Sequence, residues 1–289
     1  MVWMLIMAPA PRRQSVRVGS MRSIFGAAAA ASATAAAVVA YQYKEYTEAI
    51  AASAHAETHL PLSDEAQKTN VVRVPSFLTA AEVDDLHALA EELKPQLGSA
   101  GRGSNNQAAA YRNGAWETMY MSTDGHFAKE RPALRKRLMD LAREVDAKHW
   151  NVMNRATRPV VPRCVEYHTV EPGGSLPYPT HYDAGSLVTI DLMLSNTSDF
   201  EGGAFGTLEA DGSMQSYQFE KGDALLFVSH KFHCVQPVTA GRRNVLVMEL
   251  WEGEERECAH RCEKHEGRCG HTARMSFWRR ALSDIASDL

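Results

Sequence analysis

The chain has 289 residues, 45% of them hydrophobic, which is enough to fill the core of one large domain or two modest ones. Lysine and arginine number 31 against 35 acidic residues, for a net charge of −4, so no broad basic surface exists and nucleic acid is excluded as the main partner. An acidic ligand would need a local pocket.

Residues 1–44 contain no Asp or Glu, carry Arg12, Arg13, Arg17 and Arg22, and then run uncharged from Ser23 to Tyr43 through an alanine-rich stretch. This pattern predicts a targeting segment or a possible single-pass membrane anchor. As a signal-anchor it would leave the N-terminus cytosolic and send the rest into the endoplasmic reticulum or Golgi lumen. As an acid-free transit peptide it would direct the chain to a mitochondrion or plastid. Residues 45–70 are polar and mixed, and read as a linker.

The folded body is expected over 71–252. Thr79 followed by Glu82 forms a capping box, and Val83, Leu86, Ala90 and Leu93 recur behind it at helical spacing. Residues 98–114, rich in Gly and Asn, are a candidate substrate lid. "WETMYMS" at 116–122 predicts a strand, and Leu134, Leu138, Leu141 and Val145 line one side of a second helix over 131–149. After Pro162 come short strands separated by turn residues: "RCVEYHTV", "LVTIDLML", "AFGTLEA", "SYQFE", "DALLFVS", "CVQPV" and "RNVLVMELW". That succession predicts an α+β, mainly β fold, a double-stranded β-helix or jelly roll supported by the N-terminal helices.

A C-terminal tail, 253–289, holds Cys258, Cys262 and Cys269 close to His260, His265 and His271. The C-x3-C-x6-C spacing follows no standard zinc template, so a disulfide with one thiol left over and a zinc site both stay open. Asn196 heads an Asn-x-Thr/Ser tripeptide, the acceptor pattern for glycosylation.

The chemistry is concentrated at "THYDAGS". His181 and Asp183 are two residues apart, and in a strand such residues point to one face, provided the strand continues that far. A second histidine is available some fifty residues later, at His230 or His233. Spacing leaves the two open; the residues that follow His233, namely Pro237, Gly241 and Arg243, favour it. Two imidazoles and one carboxylate on one face of a metal, with the opposite positions open, suit a non-haem Fe(II) oxygenase.

Together, "HYD", the later "H-x3-P-V-x2-G-x-R", "EGGAF" at 201–205, "KGDALLF" at 221–227 and "FLTAAEVDDL" resemble the prolyl 4-hydroxylase-like catalytic domain of the Fe(II)/2-oxoglutarate-dependent dioxygenases, over roughly 72–252. The stretch from His181 to Phe205 is also similar to procollagen lysyl hydroxylases. The resemblance implies that His181, Asp183 and His233 bind Fe(II), that Arg243 binds the far carboxylate of 2-oxoglutarate, and that Tyr178 and Thr189 assist at the co-substrate. Arg242 would point to the opposite face. Met193 stands where the family has a tyrosine. Implied too are O2 as co-substrate, L-ascorbate as reductant, and hydroxylation of a prolyl or lysyl residue in a protein or peptide substrate. The alternatives are a small-molecule hydroxylase with the same centre and a non-catalytic, membrane-tethered jelly-roll binding protein.

Overall fold

The computed structural model describes residues 63–97, 115–267 and 269. The alanine-rich segment and the 98–114 loop lie outside the described residues, and among those described no helix is long and apolar enough to cross a membrane.

The expected mainly β architecture is the observed one. A helical turn, α1 (Ser63–Ala66), precedes strand β1 (Val72–Val74) and helix α2 (Ala80–Leu97). Strand β2 (Trp116–Tyr120) leads to the short helix α3 (His126–Glu130) and the long helix α4 (Pro132–His149). The strands that follow are β3 (Val160–Val170), β4 (Leu176–His181), β5 (Val188–Met193), β6 (Phe200–Gly202), β7 (Phe205–Leu208), β8 (Met214–Tyr217), β9 (Ala224–Val228), β10 (His233–Val235), β11 (Val238–Gly241) and β12 (Arg243–Glu252).

A 6-stranded sheet in the order β1-β9-β5-β12-β3-β2 faces a 4-stranded sheet in the order β4-β10-β7-β8, and β11 pairs with β6 in a 2-stranded ribbon. The paired strands run antiparallel. Side chains alternate across the large sheet, as the period of 2 requires. Val188, Ile190 and Leu192 of β5 and Leu246, Met248 and Leu250 of β12 meet Leu86, Leu89 and Leu93 of α2 and Leu138 of α4 in one core. Met193, Val245 and Val170 point the other way and meet Phe205, Leu176 and Val235 of the small sheet in a second core. Both faces of the large sheet are therefore covered, and this is why its central strands read as unbroken apolar runs.

Helix α2 begins at the predicted capping box. The Glu82 amide donates to Thr79 Oγ1 at 3.2 Å, and the Thr79 amide donates to Glu82 Oε2 at 2.9 Å. Thr79→Ala removes one acceptor from the first turn and is expected to cost about 1 kcal/mol, read as a lower urea midpoint at unchanged slope.

The body starts earlier than the sequence suggested. Residues 63–70 were expected to be linker, yet Ala66 is fully buried. Gln67 receives the Phe232 amide on its Oε1 at 2.7 Å, donates Nε2 to the His230 carbonyl at 3.0 Å, and accepts Lys231 Nζ on its own carbonyl at 3.0 Å. These bonds join positions more than 160 apart, which no local pattern could reveal. At the other end, residues 253–267 fold against the body without regular secondary structure.

Candidate metal centre

Strands β4 and β10 are antiparallel neighbours with His181 opposite His233. The two rings meet edge to face with centroids 5.0 Å apart. Asp183 completes the group: its Oδ1 is 3.5 Å from His181 Nε2 and its Oδ2 is 3.9 Å from His233 Nε2. One donor atom from each of the three lies within 4.8 Å of the others.

The reason for the convergence differs from the one the sequence suggested. Strand β4 ends at His181, so Asp183 does not share a strand face with it. Instead the chain turns inward. The Asp183 amide donates to the Ser229 carbonyl at 2.8 Å, and its carboxylate accepts the Thr189 hydroxyl at 2.8 Å; Thr189 is also 2.9 Å from the Ser229 hydroxyl. Thr189, expected at the co-substrate, thus has its hydroxyl engaged in holding Asp183.

His233 is buried, and its Nδ1 lies 3.0 Å from the Lys231 carbonyl. Only an N–H at Nδ1 can bond to that oxygen, so the tautomer is fixed and the Nε2 lone pair faces Asp183. Phe227 and Phe205 pack against the ring, with centroids 4.9 and 5.7 Å away. Burial in this apolar setting pulls the His233 pKa down to about 4, against the attraction of Asp183, so the imidazole is neutral at pH 7. Burial opposes ionisation of Asp183 too, yet the His233 imidazolium that forms on acidification, a hydrogen bond from His181 and the Arg261 charge hold it well below the usual carboxylate range. A neutral imidazole and an ionised carboxylate are the forms that bind a metal. His230 lies elsewhere, its ring 5.2 Å from Tyr182 and its Nε2 buried without a hydrogen bond among the described residues.

Arg243 sits on the inward face of β12, in the series Arg243, Val245, Val247, Glu249. Glu249 is paired with Thr189 across the β12–β5 ladder, so Arg243 and the Asp183 group look into the same space between the sheets. Its side chain is 2% exposed, and its Nε has no hydrogen-bond partner among the described residues. Burial draws its pKa down to about 10, partly offset by Asp191, so the charge persists at neutral pH. Gly203, at φ +63°, lies over the arginine stem; a Cβ there would come 2.9 Å from Arg243 Cδ. This accounts for the Gly-Gly turn. A buried guanidinium with an unmet N–H fits the carboxylate of a small ligand. Arg242 faces the other way and binds Glu171 at the surface, 2.8 Å away.

Tyr178 lies on β4 and is 55% exposed. Met193 is packed in the inter-sheet core.

Several buried polar groups on the same inward face escaped the sequence reading. Asp191, one inward step beyond Thr189 on β5, lies in the fields of Arg243, Asp183, Glu249 and Glu166. Burial, with Arg243 offsetting only part, pushes its carboxyl up to about 8. Further along, Trp116 Nε1 donates to His168 Nδ1 at 2.6 Å, which directs the His168 Nε2–H to Glu166 Oε2 at 2.8 Å. Glu249 accepts Arg261 Nε at 2.6 and 2.8 Å and the Ser186 hydroxyl at 2.5 Å. The available signal was an acid at an inward position of an otherwise apolar strand.

No protein-family model matches the chain. A PKHD-type hydroxylase of Idiomarina loihiensis is 37% identical over 76 residues, covering 24% of this chain and 34% of that protein, so the chain spans about a third of the length of this curated relative. Among solved structures, a Pseudomonas putida prolyl-4-hydroxylase aligns with a TM-score of 0.49 at 13% identity, covering 67% of this chain and 100% of that one. A Trichoplax adhaerens prolyl hydroxylase in complex with a hypoxia inducible factor oxygen degradation domain peptide fragment aligns with a TM-score of 0.49 at 14% identity, covering 70% and 90%.

Proposed function

We propose that the protein is an Fe(II)- and 2-oxoglutarate-dependent dioxygenase that hydroxylates an aliphatic C–H, on a prolyl or lysyl residue of a protein. The observation that carries this reading is the meeting of His181, Asp183 and His233 in the space that also holds the buried Arg243. Bound by that donor set, Fe(II) would couple oxidative decarboxylation of 2-oxoglutarate by O2 to hydroxylation of a nearby C–H bond.

The chain's own groups have defined parts. Thr189 and the Ser229 carbonyl fix Asp183, and the Lys231 carbonyl fixes the His233 tautomer. Arg243 offers its guanidinium fork to the far carboxylate of the co-substrate. Phe205 and Phe227 exclude water from the inner side of His233. His181 is only half-buried, so the group is reached from its side. The likeness to the PKHD-type hydroxylase supports a hydroxylase, and the choice of a protein-borne prolyl or lysyl residue follows the motif resemblance. The arginines of the N-terminus, followed by the uncharged run from Ser23 to Tyr43, support a targeting segment, either a secretory signal-anchor or an organellar transit peptide.

The test is incubation of the purified chain with Fe(II), L-ascorbate, 2-oxoglutarate and a panel of proline- and lysine-containing peptides, measuring succinate and the peptide masses. Iron-dependent succinate release with gain of one oxygen on a Pro or Lys is expected. Succinate release with no peptide modified would remove the protein substrate. Absence of both iron binding and succinate would leave a non-catalytic jelly roll.

A further inference from the structure

We propose that Cys258, His260, Cys262 and Cys269 form a structural zinc site that pins the C-terminal segment against the wall of the candidate metal centre. The sequence leaves this cluster open because its C-x-H-x-C-x6-C spacing follows no standard template. In the fold the four side chains each bring one donor atom within 4.8 Å of the rest. Cys269 Sγ is 3.6 Å from His260 Nε2. The edge of a tetrahedron with Zn–S near 2.3 Å and Zn–N near 2.05 Å is roughly 3.6 Å.

The donor set selects the ion. Three thiolates and one imidazole, with no carboxylate, suit zinc rather than the harder Fe(II), calcium or magnesium. Four protein ligands fill a tetrahedron and leave no open position, which marks a structural site. Cys258 is 4% and Cys262 1% exposed, and none of the five cysteines is disulfide-bonded. His265, the other nearby histidine, is occupied elsewhere: it stacks on Trp251 at 4.3 Å and its Nδ1 lies 2.8 Å from the Glu252 carbonyl. His271 lies outside the described residues.

The segment needs such a staple. Beyond Glu252 the described residues form neither helix nor strand, yet they bury Arg256, Cys258, Cys262 and His265. Their backbone is tied to the body at scattered points, such as the Asp124 amide to the Glu257 carbonyl at 3.1 Å and the Arg256 amide to the Pro162 carbonyl at 3.4 Å. Metal binding supplies folding free energy to irregular segments of this kind.

What the staple positions is Arg261, which stands between two of the ligands, His260 and Cys262. It binds Glu249 and donates Nη2 to the Ala184 carbonyl at 2.9 Å. The Cys262 carbonyl accepts Arg163 Nε at 2.6 Å, and Arg163 Nη1 reaches the same Ala184 carbonyl at 2.6 Å. Ala184 directly follows Asp183. The zinc site would therefore hold in place the arginines that brace the Asp183 loop.

Elemental analysis of the full chain, purified without chelator from zinc-supplemented medium, tests this. In His181→Ala, which disables the other metal-binding centre, one zinc per chain is expected, with loss to under a tenth of that when Cys258→Ser or Cys262→Ser is added. Because the cysteine variants could misfold, two measurements use the wild type: the intense visible bands and thiolate charge transfer of tetrahedral cobalt after metal exchange, and release of zinc as thiols are titrated with a mercurial. Zinc absent from His181→Ala, or kept when Cys258→Ser is added to it, would overturn the proposal. So would an intact mass two hydrogens short, which reports a disulfide, or zinc-free protein with freely reacting thiols. None of these outcomes depends on turnover, so they stand apart from the test of the dioxygenase reading.

Discussion

Asp183→Ala is expected to abolish iron-dependent succinate release, by at least about a thousandfold, while Thr189→Val lowers iron affinity only some 10- to 100-fold. Asp183 is the sole carboxylate of the cluster, and its removal leaves two imidazoles that cannot neutralise a divalent ion. Thr189 bonds the carboxylate at 2.8 Å and lies 2.9 Å from the Ser229 hydroxyl, so its loss loosens Asp183 without deleting it. Equilibrium binding of Fe(II) by each variant and initial rates of succinate release separate the two cases. Equal effects of the two substitutions would show that Asp183 is not a ligand.

The same residue gives a metal-independent readout. Its carboxyl is held well below the ordinary range by His233, His181 and Arg261 acting against burial, so the unfolded chain takes up its proton first as pH falls. The stabilisation is complete above the unfolded value near 4 and is lost as the solution is acidified below it. Chelated wild type should therefore exceed Asp183→Asn in urea stability at pH 6, with the gap narrowing toward pH 3.

The parts of this arrangement that sequence exposes are those written in local periodicity. The Thr79–Glu82 box, the apolar face of α4 and the strand "LVTIDLML" each follow from spacing of 3, 3.6 or 2, and each forms as spacing dictates. Strand β4 does not read as one, because "LPYPTH" carries two prolines; it is tolerated as the edge strand of the small sheet, where missing amide donors cost nothing. Asp183 was placed on the correct side for the wrong reason. Its position is set by Ser229 and Thr189, groups distant in the chain, rather than by a strand pleat. Gln67 and Arg261 were invisible for the same reason: each acts across a gap that only the closed fold bridges. Asp191 was legible in principle, since a residue two beyond Thr189 must share its inward face, and an acid there has no solvent to ionise into.

That acid carries the second large effect. Asp191→Asn should stabilise the chelated protein strongly at pH 8 to 9 and hardly at all near pH 4. The native carboxyl titrates at about 8, because burial outweighs the nearby Arg243 and the surrounding acids add to it, whereas an unfolded aspartate titrates near 3.9. Between those values the native state keeps a proton that the unfolded state has released, so stability falls as pH rises through the window. Four pH units at about 1.36 kcal/mol each set the full penalty at roughly 5 kcal/mol, which the neutral amide avoids. Urea melts of both proteins from pH 4 to 9 check it, and parallel pH slopes would show that Asp191 titrates normally. The co-substrate should sense the same charge. As Asp191 ionises above pH 8 it competes for Arg243 and repels the far carboxylate of 2-oxoglutarate, so KM rises in the wild type and stays flat in Asp191→Asn. Arg243→Met removes the cation itself, leaving that carboxylate buried without its two charge-assisted bonds, and should raise KM about a hundredfold at every pH. Arg243→Lys restores the charge without the planar fork and should recover only part of that loss. A KM indifferent to both Arg243 variants would place the co-substrate elsewhere in the cleft.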